Sequence, residues 1–260
     1  MPLLPPRRIG LVDHAVDLAG PVDTGLSHAT ALAVGSGEIG ETLRVHETLE
    51  IVAFGRQDAL TPGYADAIAA AQAVGFSVTE RLAGGRAAAF HRGTLAFSWA
   101  MPAVDPRAGV HDRFTFVAEL MASAFRRLGA DAAVGEVEGE YCPGSYSVNI
   151  GGRFKVMGVG QRLVRGAAHV GGVVVVSDSA RLREVLVPVY SALDLAWSPP
   201  TAGALEDAIG PVELSTVRRA ILEEISEIAE LEPASLPIEV TEMGRRLATN
   251  HLPEPVRGLA

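Results

Sequence analysis

The chain has 260 residues, 48% hydrophobic and 20% charged, which suits one large domain or two small ones and excludes disorder or a fibrous repeat. Its formal net charge of −9 argues against a broad nucleic-acid footprint, and a single cysteine excludes an internal disulfide or a cysteine-based zinc site. Mean hydropathy is +0.24, yet apolar runs such as 173–176 are far too short to span a bilayer. Residues 1–10 carry two arginines with no long apolar segment behind them, so no secretory leader is expected. A cytoplasmic protein follows, α/β or α+β, with no nucleic-acid and no membrane partner.

Residues 24–34 are rich in Ala and Leu and predict a helix ended by Gly35 and Gly37. Residues 41–46 and 50–54 predict strands. Thr61-Pro62 reads as a helix start ahead of an alanine-rich body at 64–74, which Gly75 ends. A strand at 76–80 enters Arg81-Leu82-Ala83-Gly84-Gly85-Arg86, and 87–90 with 94–99 read as a strand pair turned at His91-Arg92-Gly93. Over 111–128, Phe114, Val117, Leu120, Met121 and Phe125 share one helical face. Short β segments follow at 132–137, 145–150, 154–164 and 168–176, then a helix at 179–193 with a break expected at Pro188. Beyond Ser198-Pro199-Pro200 the spacing predicts amphipathic helices at 213–231 and 238–247. Residues 1–198 therefore read as a core domain and 199–260 as a helical extension packed on it. Hairpins with a helix between strands point to α+β.

Two singletons stand out. Of 22 lysine and arginine side chains, Lys155 is the one lysine. Chemistry that needs an amine able to lose its proton, or a compact ammonium on a flexible stem, cannot use arginine. The one cysteine lies upstream in Cys142-Pro143-Gly144, where Pro143 restricts Cys142 to extended backbone and Gly144 permits a tight turn. The plainer readings are a small buried thiol and a solvated surface charge. The functional one is an activated nucleophile, its thiolate favoured by a neighbouring ammonium that, when neutral, also serves as base. Gly84-Gly85 and Gly158-Val159-Gly160 let backbone approach a ligand closely, or simply turn the chain. His91 and His169 read first as satisfied polar residues, and no spacing suggests a metal site.

These pieces, in order, resemble the lipoate–protein ligase and octanoyltransferase superfamily, which shares its fold with biotin–protein ligases. The resemblance is carried by Gly55-Arg56-Gln57-Asp58, by 80–91 with its Arg-x-x-Gly-Gly loop, and by Gly93-Thr94-Leu95-Ala96-Phe97-Ser98. Lys155-Val156-Met157-Gly158-Val159-Gly160-Gln161-Arg162 and His169-Val170-Gly171 match the lysine motif and the strand after it. Together they cover about positions 20–195. Arg86 departs from the pattern at the third glycine, Glu80 stands where ligases often carry a second arginine, and Arg92 stands where many have aspartate. Cys142 upstream of Lys155 is similar to the order in the cysteine-dependent amidotransferases that act with the glycine-cleavage H protein.

The resemblance implies a mixed, largely antiparallel sheet flanked by helices, of the biotin–lipoyl ligase type. It implies a protein acyltransferase that moves an octanoyl or lipoyl group to lysines of lipoyl domains through a Cys142 acyl-enzyme. Lys155 would hold the acyl carbonyl and help deprotonate the thiol. Arg81, Gly84, Gly85, His91, Ser98, Gly158 and His169 would bind substrate. No cofactor is required. The partners are lipoyl domains of 2-oxoacid dehydrogenases or the glycine-cleavage H protein, with acyl carrier protein as a candidate donor, and the protein is expected to be a monomer. One alternative is an ATP-dependent lipoate–protein ligase using ATP and Mg, which the altered glycine loop disfavours. The other is a noncatalytic acyl- or lipoyl-domain-binding protein on the same fold.

Overall fold

The computed structural model describes residues 7–13 and 20–257; residues 1–6, part of the stretch read for a leader, lie outside them. In chain order the elements are β1 (Arg8–Val12), α1 (Gly20–Ser36), β2 (Thr42–Glu47), β3 (Ile51–Phe54), α2 (Tyr64–Ala73), β4 (Ser77–Glu80), β5 (Ala88–Phe90) and β6 (Thr94–Pro102). Then come α3 (Val110–Arg127), β7 (Ala132–Val134), β8 (Val148–Ile150), β9 (Phe154–Val164), β10 (Ala167–Val175) and α4 (Ser179–Ala192). The chain closes with α5 (Glu206–Ile209), α6 (Leu214–Ser226), β11 (Glu230–Ala234) and α7 (Ile238–Ala248) before a last helical turn.

Eight strands form one mixed sheet in the order β11-β1-β2-β6-β10-β9-β8-β7, and β4-β3-β5 form a second, smaller sheet. The large sheet is antiparallel except where β1 joins β2 and β11. That is the mixed, largely antiparallel architecture expected from the sequence. Helix α3 buries Val117, Leu120, Met121 and Phe125 at helical spacing against the large sheet, while Arg126 and Arg127 in its last turn complement the helix dipole. Helices α2 and α4 close over the small sheet through Tyr64, Ile68, Leu182, Leu186 and Tyr190. Among the described residues no helix is long and apolar enough to cross a membrane.

Three expectations are corrected. The segments at 87–90 and 94–99 do not pair with each other: β5 joins β3, whereas β6 joins β2 and β10. At His91-Arg92-Gly93 the chain changes sheets. The Thr94 hydroxyl donates to the His91 carbonyl, and the Gly93 carbonyl accepts from the Val176 and Ser177 N–H groups, pinning the crossover. A Cβ on Gly93 would lie 2.6 Å from the Ser177 carbonyl oxygen, so only glycine fits there. Second, the helix at 213–231 stops at Ser226, and 230–234 become β11, parallel to β1. Third, α4 runs through Pro188, held by the burial of Val185, Leu186, Val189 and Tyr190 on either side.

Candidate active site

Between the two sheets lies a cavity of about 340 Å³. Ile51, Ala53, Phe97 and Val173 give it apolar wall, and Arg81, Cys142 and Lys155 border it. The structure also brings Gly84, Gly85, Ser98, Gly158 and His169 to the cavity wall. His91 is not among the lining residues. Its Nδ1 accepts from the Gly93 N–H at 3.0 Å and burial lowers its pKa, so it serves the sheet crossover.

Cys142 departs from the extended backbone that Pro143 was expected to impose. Its φ is +42°, a left-handed conformation that costs a residue with a Cβ about 1–2 kcal/mol. Two bonds hold it there. The Cys142 N–H donates to the Tyr190 hydroxyl at 2.8 Å, and its carbonyl accepts from Lys155 Nζ at 2.7 Å. The Tyr190 hydroxyl in turn donates to the Ala87 carbonyl at 2.9 Å, tying the cysteine loop to the small sheet. Strain retained by such over-determination is characteristic of reactive positions.

The sulfur itself faces the glycine loop. Arg81 Nη1 stands 3.6 Å from Sγ, and the Arg86 backbone N–H donates to it at 3.2 Å. Gly85, at φ +110°, passes so close that a Cβ would lie 2.9 Å from the sulfur. Gly84 beside it has open space around it. The departure at Arg86 explains itself: the side chain turns back to the fully buried Asp58, which also accepts from the Gly55 N–H at 2.8 Å. Burial pushes the Asp58 carboxyl above its ordinary range, against these two donors.

Lys155 does not face the thiol. It is 2% exposed, and Nζ donates to Glu140 Oε1 at 3.0 Å, to the Tyr141 carbonyl at 3.1 Å and to the Cys142 carbonyl at 2.7 Å. An ammonium has three hydrogens, and all three are used. Glu140 is fully buried and binds the rest of the loop: its oxygens accept from the Val137 and Gly144 N–H groups and from the Ser147 hydroxyl. The Glu140–Lys155 pair is thus the clamp that shapes the turn carrying Cys142. Sequence reasoning passed over Glu140 because it shares the 136–140 segment with Glu136 and Glu138, and only the fold distinguishes the buried one. Asp23 on α1 and His46 on β2 also line the cavity, with the buried Arg44 bonded to Asp23 behind them, and all three were passed over. Burial there would raise the Asp23 carboxyl, but Arg44 and His46 outweigh it and hold it far below the carboxylate range.

Among the described residues no three His, Cys, Asp or Glu side chains are grouped to hold a metal ion. A large mixed sheet joined by a small one, with a cavity between them, is the fold of lipoate-protein ligases. The chain belongs to the lipoyl protein ligase A/B catalytic domain family, whose model matches residues 24–226. It is 33% identical over 164 residues to an octanoyl-[GcvH]:protein N-octanoyltransferase of Geobacillus kaustophilus, a match covering 62% of this chain and 57% of that relative's length. A protein of the same name from an Exiguobacterium species is 27% identical over 216 residues, covering 79% of this chain and 76% of the relative. A lipoyl-[GcvH]:protein N-lipoyltransferase of Listeria monocytogenes is 31% identical over 139 residues, 52% of this chain and 49% of the relative. In fold it is similar to a lipoate-protein ligase A bound with ATP (TM-score 0.72, 19% identity, 94% of each chain covered).

Proposed function

We propose that this protein transfers an octanoyl group from a lysine of the glycine-cleavage H protein to a lysine of another lipoyl domain, through an acyl-enzyme on Cys142. One observation carries the reading: a cysteine sulfur bordering an acyl-sized cavity, facing a guanidinium and a backbone N–H. The names of the relatives support the donor and the acyl group.

In the first half, the sulfur attacks the acyl carbonyl, a thioester C–S bond forms and the donor's amide C–N bond breaks. The thiol proton ends on the departing lysine amine. In the second half the acceptor lysine attacks, a new amide forms, and the sulfur regains a proton from the incoming amine. No nucleotide enters this balance and no cofactor is needed. Arg81 and the Arg86 N–H stabilise negative charge on sulfur. Lys155, with its three hydrogens engaged by Glu140, Tyr141 and Cys142, positions the nucleophile.

The test measures the mass of an acceptor lipoyl domain in three separate incubations: with octanoylated H protein, with octanoyl carrier protein, and with octanoate plus ATP and Mg. Transfer from octanoylated H protein without ATP, abolished in Cys142→Ala, is the expected result. Transfer from carrier protein alone would reassign the donor. Transfer only with ATP would overturn the reading for a ligase, and transfer in none of the three would favour a noncatalytic binding protein.

A further inference from the structure

Around Cys142 the cavity wall reaches solvent. Gly84, Gly85 and Pro143, which line it, are exposed, whereas Phe97, Ser98 and His169 on the sheet are buried. Two aromatic rings that the transfer chemistry has not used, Phe114 and Tyr146, also line the cavity, and both are half-buried. Tyr146 belongs to the turn that carries Cys142, closed by the Ser147 N–H donating to the Gly144 carbonyl at 2.9 Å. Phe114 comes from α3 and stacks on Tyr146, with ring centroids 4.9 Å apart and planes 7° from parallel.

Phe114 departs from the rest of its helix face. Val117, Leu120, Met121 and Phe125 enter the main core, but among the described residues Phe114 joins no hydrophobic cluster. It is nevertheless held firmly. The Tyr146 ring packs against the core, and its hydroxyl shares a hydrogen bond with the exposed His111 Nδ1 at 2.9 Å. The start of α3 is tied to β9, where Arg113 Nε donates to Gln161 Oε1 at 2.8 Å and Gln161 Nε2 donates to the Val110 carbonyl at 3.2 Å. Rings fixed in this way form a wall ready to receive a ligand.

The reaction sets what that wall would meet. In both half-reactions the reacting nitrogen sits at the end of a lysine's four-carbon stem, and the stem has to pass between the sulfur and solvent. An aromatic wall takes methylenes by apolar burial, and ring faces attract an acceptor ammonium before it loses its proton. Resting on the acyl-enzyme reading, we propose that Phe114 and Tyr146 form the subsite for the aliphatic stem of the donor and acceptor lysines, favouring lysine over amines without such a stem.

The test loads Cys142 from S-octanoyl-N-acetylcysteamine and follows discharge of the acyl-enzyme by intact mass, in separate incubations with hydroxylamine, Nα-acetyl-lysine methylamide and a lipoyl domain. Hydroxylamine cleaves a thioester to the hydroxamate and free thiol and has no stem; the methylamide has the stem without the domain. In Phe114→Ala the rate with either lysine, relative to the rate with hydroxylamine, is expected to fall about tenfold. Tyr146→Ala should show the same loss and Tyr146→Phe, which keeps the ring, should largely recover it; two positions leave a result if one alanine variant does not fold. A loss confined to the lipoyl domain would set the rings against that domain's surface and overturn the stem subsite, as would unchanged ratios at both positions. No acyl-enzyme in the parent protein would overturn the acyl-enzyme reading and this inference with it.

Discussion

The guanidinium of Arg81 and the sulfur of Cys142 stand 3.6 Å apart, whereas Lys155 reaches the same cysteine only at its carbonyl oxygen. Arg81 also donates to the Arg86 carbonyl at 3.0 Å, which fixes the glycine loop whose N–H meets the sulfur. The cation that acts on the thiol and the cation that places it are therefore different residues. Arg81→Gln should slow iodoacetamide alkylation of Cys142 at neutral pH by about tenfold while melting little changed. An unchanged alkylation rate would remove Arg81 from the chemistry.

Lys155→Met should behave in the opposite way. It leaves the Glu140 carboxylate buried and without its cation, a loss of about 3–5 kcal/mol that denaturant titration would register. The double variant Lys155→Met, Glu140→Gln should recover part of that stability but no transfer activity. Additive losses would mean that the two residues do not act as a pair.

The adjacent glycines separate cleanly. Gly85→Ala puts a Cβ 2.9 Å from the sulfur on backbone at φ +110°, and should cost more than about 1 kcal/mol and abolish acylation. Gly84→Ala enters open space and should stay within about 0.5 kcal/mol of the parent. Equal effects in a side-by-side denaturation series would contradict the loop geometry.

Strain at Cys142 gives a prediction about the fold alone. At φ +42° a glycine is unstrained, so Cys142→Gly should be more stable than Cys142→Ala by about 1 kcal/mol, both being inactive. Calorimetry of the two variants decides it.

His169 makes stability depend on pH. Its pKa is lowered by burial from 6.5 to about 4 in the folded protein, with Arg44 adding to the shift and Asp23 opposing it. The unfolded chain therefore takes up this proton first as pH falls. Stability from this residue is complete above about pH 6.5 and is lost toward pH 4, by about 3 kcal/mol in all. Urea titrations at pH 7.5 and 5 should show a smaller difference for His169→Leu than for the parent protein.

The linear motifs led directly to Cys142, Lys155 and the glycine loop, because short spacings there reflect contacts made by neighbouring strands. What they could not carry was direction. Lys155 lies on the predicted strand beside the predicted loop, yet whether its ammonium meets the sulfur or the carbonyl depends on a φ that Pro143 was expected to forbid. Pairing was equally hidden. Residues 87–90 and 94–99 have the composition of a hairpin, and only the Thr94 and Gly93 bonds send them to different sheets. Asp23, Arg44 and His46 come from α1 and β2, and nothing local in either segment announces a common site.

Under the proposed acyl transfer to lysines, the one lysine in 260 residues acquires a different significance. An enzyme-bound thioester is a hazard to every accessible side-chain amine nearby, beginning with those on its own surface. Here the basic surface is built from guanidinium groups, which stay protonated and are poor nucleophiles toward a thioester. The single ε-amine is buried with all its hydrogens engaged. On that reading the chain has no lysine of its own within reach of self-acylation.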